Sequence, residues 1–289
     1  MVMKNNVIIR TLTGVGFIVV MVAGICCGPL WYALLFATIT GMATWEFCGI
    51  INDNKGCQVN RLITTVASVY LFGATFAFST NVTGTEIFIP YLVTTIYLLI
   101  SELYFKDNNT LTNWAFTFMS QLYIALPFAS LNAIAIYDQG GTVMYLPVFI
   151  LSIFIFLWSS DTGAFCFGSM LGRNKLFPRI SPNKSWEGVF GGALVALIAS
   201  QVVASFSNDF CPQNELINRM EWAGLAMVVV VFGTWGDLVE SLLKRKLGIK
   251  DSGSILPGHG GMLDRFDSAL LAIPSAVVYV YTILMLIHK

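Results

Sequence analysis

Long apolar runs alternate with short polar segments along the whole chain. The apolar runs lie at about 11–27, 30–50, 62–80, 87–104, 113–136, 143–160, 188–207, 221–240 and 267–287. A helix needs roughly 20 consecutive apolar residues to cross the hydrocarbon core of a bilayer. The pattern therefore predicts about nine transmembrane helices, of which the fifth is the least regular because Pro127 interrupts its run.

The composition agrees with a membrane protein. Of the 289 residues, 56% are apolar and only 11% are charged, whereas about a quarter of the residues in a soluble domain are charged. This composition excludes a disordered chain, a coiled coil and an ordinary cytosolic enzyme. We expect an all-α polytopic membrane protein. The first apolar run leads directly into further spans and has no small-x-small cleavage pattern, so it predicts a membrane helix rather than a cleaved signal.

The basic residues are distributed unevenly between the two sides that successive spans define. Sixteen Lys and Arg balance 16 Asp and Glu, so the net charge of zero does not indicate a nucleic-acid partner. Fourteen of the cations lie before the first span or after an even-numbered span, and only Arg219 and Lys289 lie on the other side. Because cytoplasmic loops are enriched in Lys and Arg, we expect a cytoplasmic N-terminus, an outside C-terminus and cytoplasmic polar loops in the inner (plasma) membrane.

Polar residues that could take part in chemistry are concentrated in the C-terminal half. We expect one integral membrane domain over 1–289, with N-terminal helices in 1–157 and catalytic helices and cytoplasmic loops in 158–289. No inverted repeat of the transporter kind is apparent. The six cysteines form no C-x-x-C pair and only two histidines are present, His259 and His288, so no zinc site is expected.

The first polar block follows the sixth apolar run. Asp161 comes after an almost wholly apolar helix, where a carboxylate needs a partner or water. Arg173, Arg179 and Lys184 suit phosphate groups. Ser181-Pro182-Asn183-Lys184 is expected to open the seventh helix, whose free N–H groups would favour an anion. The alternative is a solvated cytoplasmic loop that carries ordinary positive-inside cations.

The second polar block contains two pairs of acidic residues around a glycine-rich turn. Asp237 and Glu240 are spaced i, i+3, and so are Asp264 and Asp267 if the ninth helix starts near Asp264. Carboxylate oxygens at helix ends suit Mg²⁺, which also takes phosphate oxygens and water. The turn at 257–261 could line a phosphate site with backbone N–H groups.

Each feature of this block also has an ordinary structural explanation. Glu240 could form a helix-surface ion pair with Lys244. Asp264 could neutralise Arg265 within a helix cap, and His259 could be a turn residue. The residues alone therefore indicate Mg²⁺-assisted chemistry on a lipid phosphate or a nucleotide phosphate. Neither a Ser-His-Asp set nor a Walker A sequence is present.

The second block resembles the hallmark of the phosphatidate cytidylyltransferase (CDP-diglyceride synthase) family. The matching positions are Ser241-Leu-Leu-Lys244-Arg245-x4-Lys250-Asp251-x-Gly253-x2-Leu256-Pro257-x-His259-Gly260-Gly261-x2-Asp264-Arg265-x-Asp267. The first block is similar to the same family, in the same order, at Asp161-Thr162-Gly163-Ala164 and Ser181-Pro182-Asn183-Lys184-Ser185-x-Glu187-Gly188. The resemblance covers about 160–267, whereas the N-terminal half matches only in hydropathy and length.

The resemblance implies that CTP and phosphatidate are converted into CDP-diacylglycerol and pyrophosphate. It implies Mg²⁺ bound by Asp237 and Asp264, followed by Asp267 and Asp161, with Glu240 kept as a candidate metal ligand and a second cation such as K⁺ left open. The implied catalytic residues are Asp237, Asp264, Asp267, Lys244 and His259. The implied substrate-binding residues are Asp161, Arg173, Ser181, Asn183, Lys184, Glu187, Arg245, Lys250, Asp251, Gly260, Gly261 and Arg265.

Two other functions remain as alternatives. A CTP-dependent polyprenol or phytol kinase would transfer the γ-phosphoryl group and release CDP. An ion-coupled transporter would use Asp161 and Asp237 along an ion path near the middle of the bilayer. The partners expected are CTP and phosphatidate in the bilayer, without nucleic acid, and a homodimer is left open.

Overall fold

The computed structural model of the protein describes residues 2–104, 109–139, 141–207, 214–253 and 260–286. Within them, eight helical segments are long and apolar enough to cross a membrane, and Thr13–Cys26 forms a shorter apolar helix. The prediction of a polytopic helical membrane protein is confirmed. The count of nine spans stays a prediction.

The helices and strands follow the apolar runs closely. The N-terminal helices are α1 (Val2–Cys26), α2 (Pro29–Lys55), α3 (Arg61–Ser79), α4 (Ile89–Ser101), α5 (Thr110–Ser120), α6 (Leu126–Ser130) and α7 (Asn132–Ala135). They are followed by β1 (Ile136–Gln139), β2 (Thr142–Tyr145), α8 (Pro147–Leu171), β3 (Lys175–Phe177), β4 (Ser181–Ser185), α9 (Trp186–Phe206), α10 (Glu215–Leu247), α11 (Leu263–Phe266) and α12 (Ala269–Leu286).

Two helices extend well beyond the apolar runs that predicted them. The sixth run ends near residue 160, yet α8 continues to Leu171, and the eighth ends near 240, yet α10 continues to Leu247. Three basic residues occupy the last turn of α10, where they interact favourably with the helix dipole. Polar residues can thus continue a helix after its apolar run has ended.

The irregular fifth run is helical despite its proline. A π-helical turn at Gln121–Ala125 joins α5 to α6, and Pro127 lies in the first turn of α6. Proline is tolerated there because the π-helical turn directly before it interrupts the regular pattern of helical hydrogen bonds.

The chain divides into two compact units. The first unit comprises Met1–Pro147 and Lys244–Phe266. Its core is rich in aromatic rings. The Phe266 ring of α11 contacts the rings of Phe128 and Phe17 edge-on, at centroid distances of 5.4 and 5.8 Å. These contacts attach the C-terminal end of the sequence motif at 241–267 to the N-terminal helices of the same unit.

The second unit comprises Val148–Leu243 and Asp267–Lys289. Its helices approach closely at glycines. A Cβ on Gly163 of α8 would lie 2.8 Å from the carbonyl oxygen of Gly191 in α9, and a Cβ on Gly236 of α10 would lie 2.7 Å from the carbonyl oxygen of Asp267. Because glycine has no side chain, the backbones of neighbouring segments can contact each other directly at these positions. The expectation of one domain over 1–289 stays a prediction.

Candidate active site

A β-hairpin precedes α9 in the second unit. β3 and β4 pair antiparallel, with Lys175 opposite Ser185 and Phe177 opposite Ser181. Asn174 closes the base of the hairpin, since its side-chain Nδ2 donates to Oε1 of Glu187 at 2.8 Å and its carbonyl accepts from the N–H of Trp186 at 2.9 Å. Glu187 therefore holds the hairpin against the start of α9.

This hairpin corrects the sequence-based expectation for Ser181, Asn183 and Lys184. They lie in β4 and do not open a helix, because α9 begins only at Trp186. Ser185 caps α9, and its Oγ accepts a hydrogen bond from the N–H of Gly188 at 3.2 Å. The apolar periodicity placed the helix near this point, but it carried no information about the short strand.

Lys184 and Asp237 form the clearest ionic contact of the second unit. The Nζ of Lys184 lies 2.5 Å from Oδ2 of Asp237 on α10, and the two side chains are 25% and 28% exposed. The hydroxyl of Ser241 donates to Oδ1 of Asp237 at 3.1 Å. Two candidate residues from the separate polar blocks are thus brought together, which the sequence did not predict residue by residue.

An aromatic contact fixes the hairpin on α10. The rings of Phe177 and Trp235 meet edge-on at a centroid distance of 5.9 Å. Trp235 lies two residues before Asp237, so this contact places the hairpin next to the helix turn that carries the carboxylate.

Asp161 lies inside a helix rather than after one. It is an exposed residue of α8, ten residues before the helix ends. The sequence-based position at the end of an apolar helix is therefore wrong. Arg173 follows α8 and is exposed.

The acidic residues near Asp237 differ in accessibility. Glu240 is fully buried, so it does not lie on the helix surface as the ion-pair alternative assumed. Asp267 follows the last residue of α11, so the helix expected to run through both Asp264 and Asp267 is interrupted there. The Oδ1 of Asp267 accepts hydrogen bonds from the N–H and the hydroxyl of Ser268, at 2.6 and 3.2 Å.

The donor set of the second unit suits a hard divalent cation. Asp237 is partly exposed, and the close approach at Gly236 brings the backbone of Asp267 against α10. No group of three or more His, Cys, Asp or Glu placed for a metal occurs among the described residues. Mg²⁺ uses one or two carboxylates together with phosphate oxygens and water. The residues therefore fit a Mg²⁺ ion that is bound together with a phosphate ligand.

A second lysine–aspartate pair lies in the first unit. The Nζ of Lys244 donates to Oδ1 of Asp264 at 2.8 Å, and the side chains are only 15% and 8% exposed. Oδ2 accepts the backbone N–H groups of Ser252 and Gly261 at 2.8 and 2.9 Å. Asp264 thus pairs with Lys244, whereas Arg265, the partner expected for a self-neutralising cap, is exposed.

The glycine turn is described only at its end. Gly260 has a φ of 80°, and a Cβ there would lie 2.5 Å from Oδ2 of Asp264. This position requires glycine both for its backbone conformation and for space. His259 and the preceding residues 254–258 lie outside the described residues.

Glu46 is the contact that the sequence analysis missed. It lies on α2, is 6% exposed, and its Oε2 accepts the backbone N–H of Leu263 at 2.8 Å. The sequence analysis placed the polar chemistry in the C-terminal half and did not name this residue. The sequence did contain a sign that Glu46 has a specific contact. It is a carboxylate within the second apolar run, where a charged group requires a partner.

The remaining candidate residues of the motif are exposed polar groups. Arg245, Lys250, Asp251 and Arg265 are all exposed. Exposed cations of this kind can accept a phosphate ligand without first losing an internal ion pair.

Comparison with known proteins extends over nearly the whole chain. A model of the Cytidylyltransferase family matches residues 8–283. A phosphatidate cytidylyltransferase of Staphylococcus aureus (strain COL) is 33% identical over 269 residues, which cover 92% of this chain and 96% of that protein. A phosphatidate cytidylyltransferase of Staphylococcus saprophyticus is 39% identical over 186 residues, or 63% of this chain and 65% of that protein. The chain belongs to the cytidylyltransferase family.

Proposed function

We propose that the protein is a membrane-embedded phosphatidate cytidylyltransferase that makes CDP-diacylglycerol and pyrophosphate from CTP and phosphatidate. The Lys184–Asp237 pair is the observation that carries the proposal. It joins a cation that suits a phosphate to a partly exposed carboxylate that suits a divalent cation. Lys184 belongs to a motif that resembles this family, Asp237 lies four residues before the start of the second such motif, and the similar Staphylococcus proteins carry this name.

The chemistry is a nucleotidyl transfer between two phosphates. A phosphate oxygen of phosphatidate attacks the α-phosphorus of CTP, a new P–O bond forms, and the bond from the α-phosphorus to the bridging oxygen of pyrophosphate breaks. The nucleophile is already an anion, so a strong general base is hardly needed. The protein must instead align the two phosphates and neutralise their charge.

The residues of the second unit have distinct roles in this proposal. Lys184 binds a phosphate group of CTP, and exposed Arg173 provides a further cation. Asp237 and Asp267 hold Mg²⁺, which when bound neutralises negative charge on the triphosphate and the departing pyrophosphate. Glu240 is fully buried and is left out of the ligand set. A second cation such as K⁺ stays a prediction.

The roles of the motif residues in the first unit follow from motif position. Arg245, Lys250 and Arg265 are proposed to bind phosphate groups, and their exposure supports this. Both oxygens of Asp264 already accept hydrogen bonds, so in this proposal it organises the backbone of its own segment, and the metal-ligand role that its motif position implies stays a prediction.

The proposed orientation puts the N-terminus and both polar blocks in the cytoplasm and the C-terminus outside the inner (plasma) membrane. The cation distribution supports it, since 14 of 16 Lys and Arg fall on one side. Cytoplasmic CTP would then reach the polar blocks directly.

Labelling of single cysteines tests this orientation. In a cysteine-free background, Cys is placed at the exposed positions Arg179 and Lys246, with exposed Glu86 as the outside control. An impermeant thiol reagent applied to intact cells should label only Glu86→Cys. Labelling of Arg179→Cys or Lys246→Cys from outside would overturn the orientation.

Product analysis tests the function itself. Purified protein is incubated in detergent with phosphatidate, Mg²⁺ and CTP labelled at either the α- or the γ-phosphate. We expect the α-label in a lipid product and the γ-label in pyrophosphate. A γ-label in lipid together with CDP would support the kinase alternative, and no conversion would overturn the proposal.

A further inference from the structure

A buried carboxylate of the N-terminal helices contacts the C-terminal motif segment. Glu46 lies on α2, within the first unit, and its side chain reaches the start of α11. Because Oε2 accepts the N–H of Leu263 at 2.8 Å, Glu46 satisfies a backbone donor at the first residue of that short helix.

The same carboxylate explains two glycines of the motif. A Cβ on either Gly253 or Gly261 would overlap Oε1 of Glu46, and a Cβ on Gly261 would also overlap the hydroxyl oxygen of Ser252. The φ of neither glycine is in the left-handed region, so backbone conformation does not require them. A side chain at either position would instead require Glu46 to move from its place.

Glu46 and Asp264 hold the two ends of this segment together. Asp264 accepts N–H groups from Ser252, on one side of residues 254–259, and from Gly261, on the other. Oε1 of Glu46 lies next to both Gly253 and Gly261, which in the chain also precede and follow residues 254–259. Lys244 supplies the cation of the group through its bond to Asp264.

We propose that Glu46 is a positioning residue for the cytidylyl transfer. It holds Gly253, Gly261 and Leu263 in place relative to Asp264. This inference rests on the proposed function, because that function has Lys250 and Arg265, which are close to these residues in the chain, bind phosphate groups. The N-terminal helices then contribute directly to the geometry of the motif.

Glu102 provides a matched control for a purely structural glutamate. It belongs to the same unit and is also 6% exposed. Its Oε2 accepts a hydrogen bond from Nδ2 of Asn113 at 2.9 Å. Neither residue belongs to the motif segment. Glu102→Gln and Glu46→Gln thus make the same chemical change at equal burial.

Kinetics separate positioning from folding. Glu46→Gln should lower kcat/KM for CTP about tenfold, the scale of one lost charge-assisted hydrogen bond, and Glu46→Ala on the order of a hundredfold, the scale of a misplaced reacting group. Glu102→Gln should stay within a few-fold of wild type. If Glu46→Gln and Glu102→Gln lower kcat/KM for CTP equally, Glu46 contributes only to folding, and the proposal is overturned.

A double substitution tests the packing directly. Gly253→Ala should lose activity because its methyl group meets Glu46, and in the double variant with Glu46→Ala the total loss should be smaller than the product of the two separate losses, because the shorter side chain makes room for the methyl group. Two residues in contact give such non-additive effects. Strictly additive losses would contradict the proposed contact.

Hydrogen exchange provides a readout that does not depend on activity. In the full-length protein in detergent, Glu46→Ala should accelerate amide exchange in the segment that contains Gly261 and Leu263, whereas Glu102→Gln should not. Unchanged exchange in Glu46→Ala would overturn the positioning role. If wild type makes no CDP-diacylglycerol but Glu46→Ala still accelerates this amide exchange, the proposed function is overturned, whereas the structural role of Glu46 in ordering Gly261 and Leu263 is supported.

Discussion

The Lys184–Asp237 and Lys244–Asp264 pairs use the same two side chains in different surroundings. Asp237 is 28% exposed and receives, besides its lysine, one hydroxyl hydrogen bond from Ser241. Asp264 is 8% exposed and receives two backbone N–H groups besides its lysine. One carboxylate thus stays accessible to a ligand, and the other organises the backbone around it.

This difference separates two ways in which an acidic residue of a motif can matter. A solvent-exposed ion pair contributes only about 0–1 kcal/mol to folding, and we expect the partly exposed Lys184–Asp237 pair to contribute little more, so Asp237 is available for chemistry at little structural cost. Breaking a buried pair by removing one partner costs about 3–5 kcal/mol. Loss of turnover cannot distinguish the two aspartates, but loss of stability can.

Removal of the divalent cation should have the largest effect. Exhaustive chelation with EDTA should abolish the formation of CDP-diacylglycerol, and Mg²⁺ should restore it, because the pyrophosphate leaving group carries charge that needs a hard ion. Mg²⁺ with CTP should also raise the melting temperature of wild type. Full activity after chelation would contradict the metal site.

Asp237→Asn should lower turnover by about a hundredfold or more, the scale of losing a key electrostatic contact. The substitution preserves the size of the side chain but removes the charge that binds both Lys184 and the proposed Mg²⁺. Turnover is measured with saturating CTP and phosphatidate. Glu86→Gln, at an exposed position of the short 3-10 helix Thr85–Phe88, is the control. Turnover within a few-fold of that control would remove Asp237 from the catalytic residues.

Asp264→Asn should also lower turnover by about a hundredfold or more, with insertion into the membrane intact. Asparagine can still accept from Ser252 and Gly261, but it then turns its NH₂ group towards the Lys244 ammonium. The comparison to make is turnover per correctly inserted molecule. A variant that turns over within a few-fold of wild type would contradict both the proposed catalytic role and the arrangement of this segment.

Lys184→Gln should have the smallest effect of the series. We expect the KM for CTP to rise about tenfold, because one positive charge that binds phosphate is lost, while kcat changes only a few-fold. Lys175→Gln, an exposed lysine in β3 of the same hairpin, should leave KM unchanged. Equal increases in KM for both variants would indicate a general effect of charge rather than a contact by Lys184.

The sequence was sufficient to predict the helical membrane fold because apolar periodicity is a strong local signal. It placed the helices but missed their extensions, such as the last ten residues of α8 and the basic last turn of α10. It also missed the strand at Ser181–Ser185. Pro182 and the polar residues around it have no pattern long enough to distinguish a short hairpin from the first turn of a helix.

The candidate residues were also only partly predictable. The motifs named Lys184, Asp237, Lys244 and Asp264, but which lysine contacts which aspartate depends on contacts between distant parts of the chain. Glu46 was missed for the same reason, since its partner Leu263 lies 217 positions away. A single carboxylate in an apolar run indicates that a partner exists, but not where it lies.

The apparent melting temperatures of Asp237→Asn and Asp264→Asn, measured in the same detergent, test the central comparison most directly. Asp264→Asn should melt roughly 5 to 10 °C below wild type, because the largely buried Lys244 ammonium loses its ion pair with Asp264. Asp237→Asn should melt within about 2 °C of wild type, since the partly exposed Lys184–Asp237 pair contributes little. Equal changes in melting temperature would contradict the central comparison, in which Asp237 is available to a ligand and Asp264 organises the backbone.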